Sequence, residues 1–233
     1  HKFSTPVAGR NLANPYPDMV VRLLFVGCRA IAPVFQKYFH LKARALSLPK
    51  LRRYDIYAPI APSEKQFGFG RAWDLVRRSF EEFDPAFAAL AERVVTDRRL
   101  DAEIRPGKRD GAFCMSVLPS LTPWVLTNYQ GRAYDLATLA HELGHAVHAL
   151  LAEDLPLFTY DASLPLAETA STFAEMLLVE SLLKEETDSA VRRDLLFRRG
   201  LLQNPVNVVN KAHPQHFIGF IQHPGPQRRQ RQG

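Results

Sequence analysis

Apolar residues recur along most of this chain with the 3.6-residue period of helices that bury one face, and the period changes only in one central stretch. From Asp18 to Leu46 the residues Val20, Val21, Leu23, Leu24 and Val26, then Val34, Phe35, Tyr38, Phe39, Leu41 and Leu46, predict helix, with Pro33 either kinking it or separating two helices. Helices are also predicted over Ala72 to Phe83 and over Pro85 to Arg98, the latter opened by Asp84 as cap with Pro85 in the first position. From Asp135 to Glu153 the stripe Leu136, Leu139, Leu143, Ala146, Val147, Leu150 and Leu151 predicts a further helix, with Asp135 at its N-cap. The next one follows Ser163, a cap with Pro165 in the first turn, and shows Leu166, Ala170, Phe173, Leu177 and Leu178 on one face. A last helix starts near Thr187-Asp188 and carries Val191, Leu195, Leu196 and Leu201.

Between Asp101 and Tyr129 the segments Ala102 to Arg105, Ala112 to Leu118 and Trp124 to Tyr129 are short, rich in apolar, aromatic or β-branched residues, and punctuated by Pro106-Gly107, Pro119 and Pro123. They predict a small sheet. Lys50 to Arg53 read as a basic turn, and Tyr54 to Pro59 as an ordered loop or short extended piece whose tyrosines either pack under the helices or line a cleft. The fold class is therefore mainly α, with long helices packed around a small sheet.

The chemistry sits on the helix that begins at Asp135. His141-Glu142-Leu143-Gly144-His145 places two imidazoles four residues apart on one helical face, with a carboxylate one residue round, the HExxH arrangement of zinc peptidases. Catalytic zinc takes three protein ligands, so a third donor is needed. Glu168 and Glu175, seven residues apart on the following helix, can divide the work: one carboxylate ligates while the other holds a ligand from behind. His148 shares the face of His141 and His145 and reads as a hydrogen-bonded histidine beside the site.

HELGHAVH followed by LAETASTFAEMLL resembles the catalytic centre of the oligoendopeptidase F group, related to thimet oligopeptidase. The resemblance extends through Tyr54 to Pro59, Gly107 to Cys114 and Asn128-Tyr129, and covers roughly residues 30 to 200. It implies a zincin-like core with one zinc ion per chain, ligands at His141, His145 and Glu168, and Glu142 as general base. It also marks Gly111, Ala112, Phe113 and Cys114 as the strand edge to which an extended peptide adds, unless they only close a hairpin. Gly107 and Gly111 would then permit close approach of another backbone.

The same resemblance sets an expectation for the chain's end. Members of the group continue into a further helical region with a histidine and tyrosines that clamp the substrate, yet no tyrosine follows Tyr160, and His213, His216 and His223 do not sit in that pattern. Asn204-Pro205, His213-Pro214, His223-Pro224 and Gly225-Pro226 break regularity. Residues 1–203 accordingly read as a partial catalytic domain. Residues 204–233 read as an irregular basic tail, disordered or non-native, that buries too little to offset ordering costs of roughly 1–2 kcal/mol per residue.

Composition narrows the alternatives. The formal charge of +6 over 233 residues is concentrated in the tail, where Lys211, Arg228, Arg229 and Arg231 have no acid beside them, so the body is nearly neutral and a nucleic-acid partner is not expected. The sequence holds no apolar run of membrane-spanning length and opens with no signal-peptide core, which favours a cytoplasmic protein. Cys28 and Cys114 give no disulfide framework and read as buried free thiols, and Cys114 has no histidine left over to make it a nucleophile. Three functions stay open: a zinc endopeptidase acting on short peptides, an HExxH carboxypeptidase or aminopeptidase, and an inactive zinc-binding fragment. Oligomeric state is not legible.

Overall fold

The computed structural model describes residues 8–13, 17–56, 58 and 65–202. Its helices are α1 (Ala8–Ala13), α2 (Asp18–Ala45), α3 (Phe69–Phe83), α4 (Pro85–Thr96), α5 (Ala133–Leu151), α6 (Leu157–Tyr160), α7 (Leu164–Glu185) and α8 (Ser189–Leu202). Three short strands, β1 (Leu100–Asp101), β2 (Phe113–Met115) and β3 (Trp124–Leu126), form one sheet in the order β1-β3-β2. β1 runs parallel to β3, and β2 antiparallel to it with Cys114 opposite Val125. The mainly α architecture with a small sheet is as the sequence predicts; Tyr57, Pro59 and the tail expected over 204–233 lie outside the described residues.

Helix α5 is the centre of the core. Leu136, Leu139, Leu143 and Val147 are fully buried, packed with Phe80 and Val76 of α3, Val94 of α4, Val125 of β3, Leu178 of α7 and Leu195 of α8. At roughly 1.5–3 kcal/mol for each large apolar side chain removed from water, this cluster is the main force that seats α5. The start of α5 differs from expectation. Asp135 is not the cap but lies in the first turn, and its carboxylate reaches back to accept the backbone N–H groups of Arg132 and Gln130, both at 2.9 Å. It thereby satisfies donors that precede the helix and sits favourably at the positive end of the helix dipole. Asp84 caps as read, accepting from Ala86 N, and Asp188, where the last helix was expected to start, accepts from Ala190 N. Ser163 receives the first-turn N–H groups of α7 on its carbonyl.

Other boundaries also moved. α2 is continuous through Pro33, because Pro33 and Arg29 lie on an exposed face where water can take the carbonyl that a proline leaves unpaired. Much of α2 is open: Met19, Leu23, Val26, Val34 and Leu41 are all exposed. The first strand is Leu100–Asp101 rather than 102–105. Beside it stands Lys108, whose ammonium group, on a side chain only 2% exposed, binds the carbonyls of Asp101 (3.1 Å), Glu103 (2.7 Å) and Thr127 (2.6 Å) and the Asp101 carboxylate (3.0 Å). The Asp101 carbonyl also accepts from Thr127 N at 2.9 Å and the Ala102 carbonyl from Tyr129 N at 3.1 Å, so backbone pairing runs a little past the strand itself. Both cysteines are free, as read, but half-buried rather than buried: Cys28 lies on the open helix α2, and Cys114 on β2 at the margin of the core.

Candidate metal centre and cleft

Helices α5 and α7 approach closely because Gly144 has no side chain. A Cβ at that position would lie 2.6 Å from Ala174 Cβ, 2.8 Å from Ser171 Cα and 2.9 Å from the Ala170 carbonyl oxygen, closer than real atoms allow. A glycine inside a helix costs about 1 kcal/mol relative to alanine, and here it admits the backbone of α7 beside the two histidines.

This approach brings Glu168 and Glu175 to His141 and His145. Glu168 Oε2 lies 3.4 Å from His141 Nε2, and Glu168 Oε1 lies 3.8 Å from His145 Nε2. On the other side of the His141 ring, Nδ1 is 3.2 Å from Oε2 of Glu175, whose side chain is completely buried. Without a metal both ring nitrogens can donate, Nδ1 to Glu175 and Nε2 to Glu168; a cation at Nε2 would take the place of that second proton while Nδ1 keeps its bond to Glu175. Burial opposes protonation of His141, but hydrogen bonds to Glu168 and Glu175 outweigh it and raise its pKa to about 9. The electrostatics that favour a proton on this ring favour a divalent cation in the same place.

Donor atoms of His141, His145 and Glu168 all lie within 4.8 Å of one another. Two imidazole nitrogens and one carboxylate at that spacing fit tetrahedral zinc with a fourth position left for water, so the residues present suit the metal that the sequence implies. The group faces a cleft of about 780 Å³. Glu142, 7% exposed, lines it beside the histidines. His148 lines it further along α5, and burial lowers its pKa and so keeps it neutral.

The opposite wall of the cleft is β2. Its partner β3 occupies one edge, and the residues from Gly111 through Ala112, Phe113 and Cys114 to Ser116 border the cleft. Gly107 and Gly111 have positive φ (78° and 83°) with open space where a Cβ would be, so the turn before β2 itself calls for glycine. Asn128 fixes that turn, donating to the carbonyls of Arg109 at 3.0 Å and Gly111 at 2.8 Å. Burial, aided by the charge of Glu142, pushes the Cys114 thiol up to about 12, so it holds no thiolate at neutral pH and is no nucleophile.

The sequence matches peptidase family M3 over residues 7–212. The chain belongs to that family. Among M3 relatives, it is 30% identical over 186 residues to the chromosomal oligoendopeptidase F of Lactococcus lactis subsp. cremoris, covering 79% of this chain and 31% of the relative. It is 31% identical over 197 residues to the group B oligopeptidase PepB of Streptococcus agalactiae, covering 84% of this chain and 33% of the relative. The chain therefore spans about a third of the length of the curated relatives it matches. In structure, it is similar to a Chlamydophila abortus protein described as a peptidase, with TM-score 0.69 and 27% identity over 92% of this chain and 38% of that one. PZ peptidase A, solved with an inhibitor, shares the fold at TM-score 0.66 and 17% identity, over 87% of this chain and 40% of its own.

The residues singled out in the sequence thus meet in one place: Glu168 against both His141 and His145, Glu175 behind His141, Glu142 and His148 along the same wall, and Gly111 to Cys114 facing them. Ser171, Asn128 and Lys108 lie in the stretches that carry the resemblance, but no role was read for them. Ser171 could have been found, since a hydroxyl three residues after a glutamate on a helix lies beside it. The lysine offered no local signal, because its partners are spread from Asp101 to Thr127.

Proposed function

We propose that this chain forms the zinc-binding part of a metallopeptidase that hydrolyses short peptides, with His141, His145 and Glu168 as metal ligands and Glu142 as general base. The observation that carries this reading is the convergence of three ligand atoms, all within 4.8 Å of one another, on a cleft walled by an open strand edge. Residues 1–203 are assigned to that catalytic unit.

Bound zinc would supply Lewis-acid polarisation of the scissile carbonyl and acidify a water. The chain's own residues do the rest. Glu175 fixes the ring of His141 and its tautomer. Glu142 takes a proton from the attacking water and returns it to the departing amine, roles suited to a carboxylate held in a partly desolvated wall. The backbone of Gly111 to Cys114 offers hydrogen bonds to an extended peptide without reading its side chains, which suits general peptide breakdown. Residues from Tyr134 to Ala149 of α5 line the cleft, a span of about 22 Å at 1.5 Å per residue. An extended peptide of roughly six or seven residues would fill it at 3.3 Å per residue.

The test is hydrolysis of an internally quenched peptide blocked at both ends, by the zinc-loaded chain and by the same chain after chelation. Internal cleavage that disappears with the metal supports the endopeptidase reading. Cleavage confined to peptides with a free terminus would favour an exopeptidase, and one equivalent of zinc without hydrolysis a non-catalytic zinc protein.

A further inference from the structure

Ser171 lies on α7 one turn beyond Glu168 and has no exposed surface. Its hydroxyl oxygen is 3.0 Å from the Glu168 carbonyl oxygen and 3.3 Å from Glu168 Oε2. A hydroxyl bonded to the carbonyl one turn back is ordinary in helices and would by itself mean little. The second distance is different in kind, because Oε2 is the same oxygen that stands 3.4 Å from His141 Nε2. Ser171 therefore touches the carboxylate on the oxygen facing one histidine, while Oε1 faces the other. The backbone of Ser171 is in turn seated against Gly144: the Cβ that glycine lacks would fall 2.8 Å from Ser171 Cα.

We propose that Ser171 is a positioning residue for Glu168, that its hydroxyl holds the carboxylate in the rotation that presents both oxygens to the histidine pair, and that Gly144 is what lets it sit there. The inference rests on the reading of His141, His145 and Glu168 as a metal site. The physical argument is that a glutamate side chain has three rotatable bonds, each of which must be frozen when it ligates. The hydroxyl has one proton to share between the Glu168 carbonyl and Oε2, and a donor already within 3.3 Å of that oxygen reduces what remains to be frozen. Two backbone-level contacts at Gly144 fix the height of Ser171 relative to both imidazoles, so the hydroxyl is placed by the packing of α5 on α7 and not by α7 alone.

The experiment measures zinc affinity of the purified chain by competition with a chromophoric chelator, alongside thermal unfolding of the metal-free chain. Ser171→Ala should weaken zinc binding about tenfold, the lower end of the range for groups that orient ligands, with little change in metal-free unfolding, since alanine favours helix. Ser171→Thr, which keeps the hydroxyl, should bind more tightly than Ser171→Ala. Gly144→Ala should also weaken binding, and its effect should shrink when Ser171 is already alanine, because the two act through one carboxylate. Equal affinity for the unaltered chain and Ser171→Ala would overturn the role of Ser171 while leaving the metal site standing. Strictly additive losses would overturn the coupling to Gly144. Absence of zinc binding by the unaltered chain would overturn the metal site and this inference with it.

Discussion

Glu175 and Glu168 flank the His141 ring from opposite sides, 3.2 Å from Nδ1 and 3.4 Å from Nε2. Only Glu175 is sealed from solvent. A buried carboxylate is costly unless it is partnered, and the Nδ1 of His141 is one of its partners, so each of the two side chains helps to hold the other. Glu175→Gln keeps the shape and removes the charge. Zinc affinity measured by chelator competition should fall tenfold to a hundredfold, and an unchanged dissociation constant would show that Glu175 is only filling space.

In the proposed mechanism Glu142 does chemistry and His145 holds metal. Glu142→Gln should retain one equivalent of zinc and lose at least about 100-fold in peptide hydrolysis, the effect of removing a general base. His145→Ala should instead lose the metal. Equal metal content in the two variants, measured by atomic absorption, would reverse the assignment.

Lys108 is predicted to matter for stability although it is far from any metal donor in sequence. Lys108→Met leaves the carbonyls of Asp101, Glu103 and Thr127 without their shared donor. Loss of roughly 1–3 kcal/mol in urea unfolding is expected, the cost of leaving the carbonyl of buried Thr127 unmet, since the Asp101 carbonyl keeps the Thr127 N–H and Glu103 is exposed. A variant as stable as the unaltered chain would mean that water reaches those oxygens.

Asp101 sets the acid side of the stability curve. The Arg105 guanidinium first, and then Lys108, hold its carboxyl well below the usual carboxylate range, against the opposing effect of burial. A depressed folded-state pKa contributes stability that is present above the unfolded value of about 4 and is lost as pH falls below it. Asp101→Asn should therefore narrow the stability difference between pH 6 and pH 3 in thermal melts. If its melts fall with acid as steeply as those of the unaltered chain, other carboxylates carry the effect.

The helices and the His141, His145 and Glu168 cluster were legible because both are written in local spacing. The separation of four from His141 to His145, of seven from Glu168 to Glu175, and the stripe from Leu136 to Leu151 are each readable within two or three turns. What stayed hidden was non-local. The segment after β1 is gathered by Lys108 and the start of α5 is set by a carboxylate reaching backward, neither of which periodicity records. Of the two outcomes read for Pro33, separation into two helices does not occur: α2 runs through it on an exposed face. That Glu168, not Glu175, faces both histidines came from resemblance, since spacing alone leaves the two equivalent.

The site also has a bearing on how the protein assembles. His141, Glu142, His145, Glu168, Ser171 and Glu175 all lie on one helical hairpin, α5 to α7, closed by a connection that contains only the short helix α6. Bringing the ends of such a short loop together costs little entropy, and local pairings form early in folding relative to sheet contacts. The donor set can therefore take shape before β1 has found β3. A captured ion would act as a clasp on a unit already half-made, slowing the opening of that hairpin in amide exchange and leaving the remote, solvent-facing α2 as free to exchange as before.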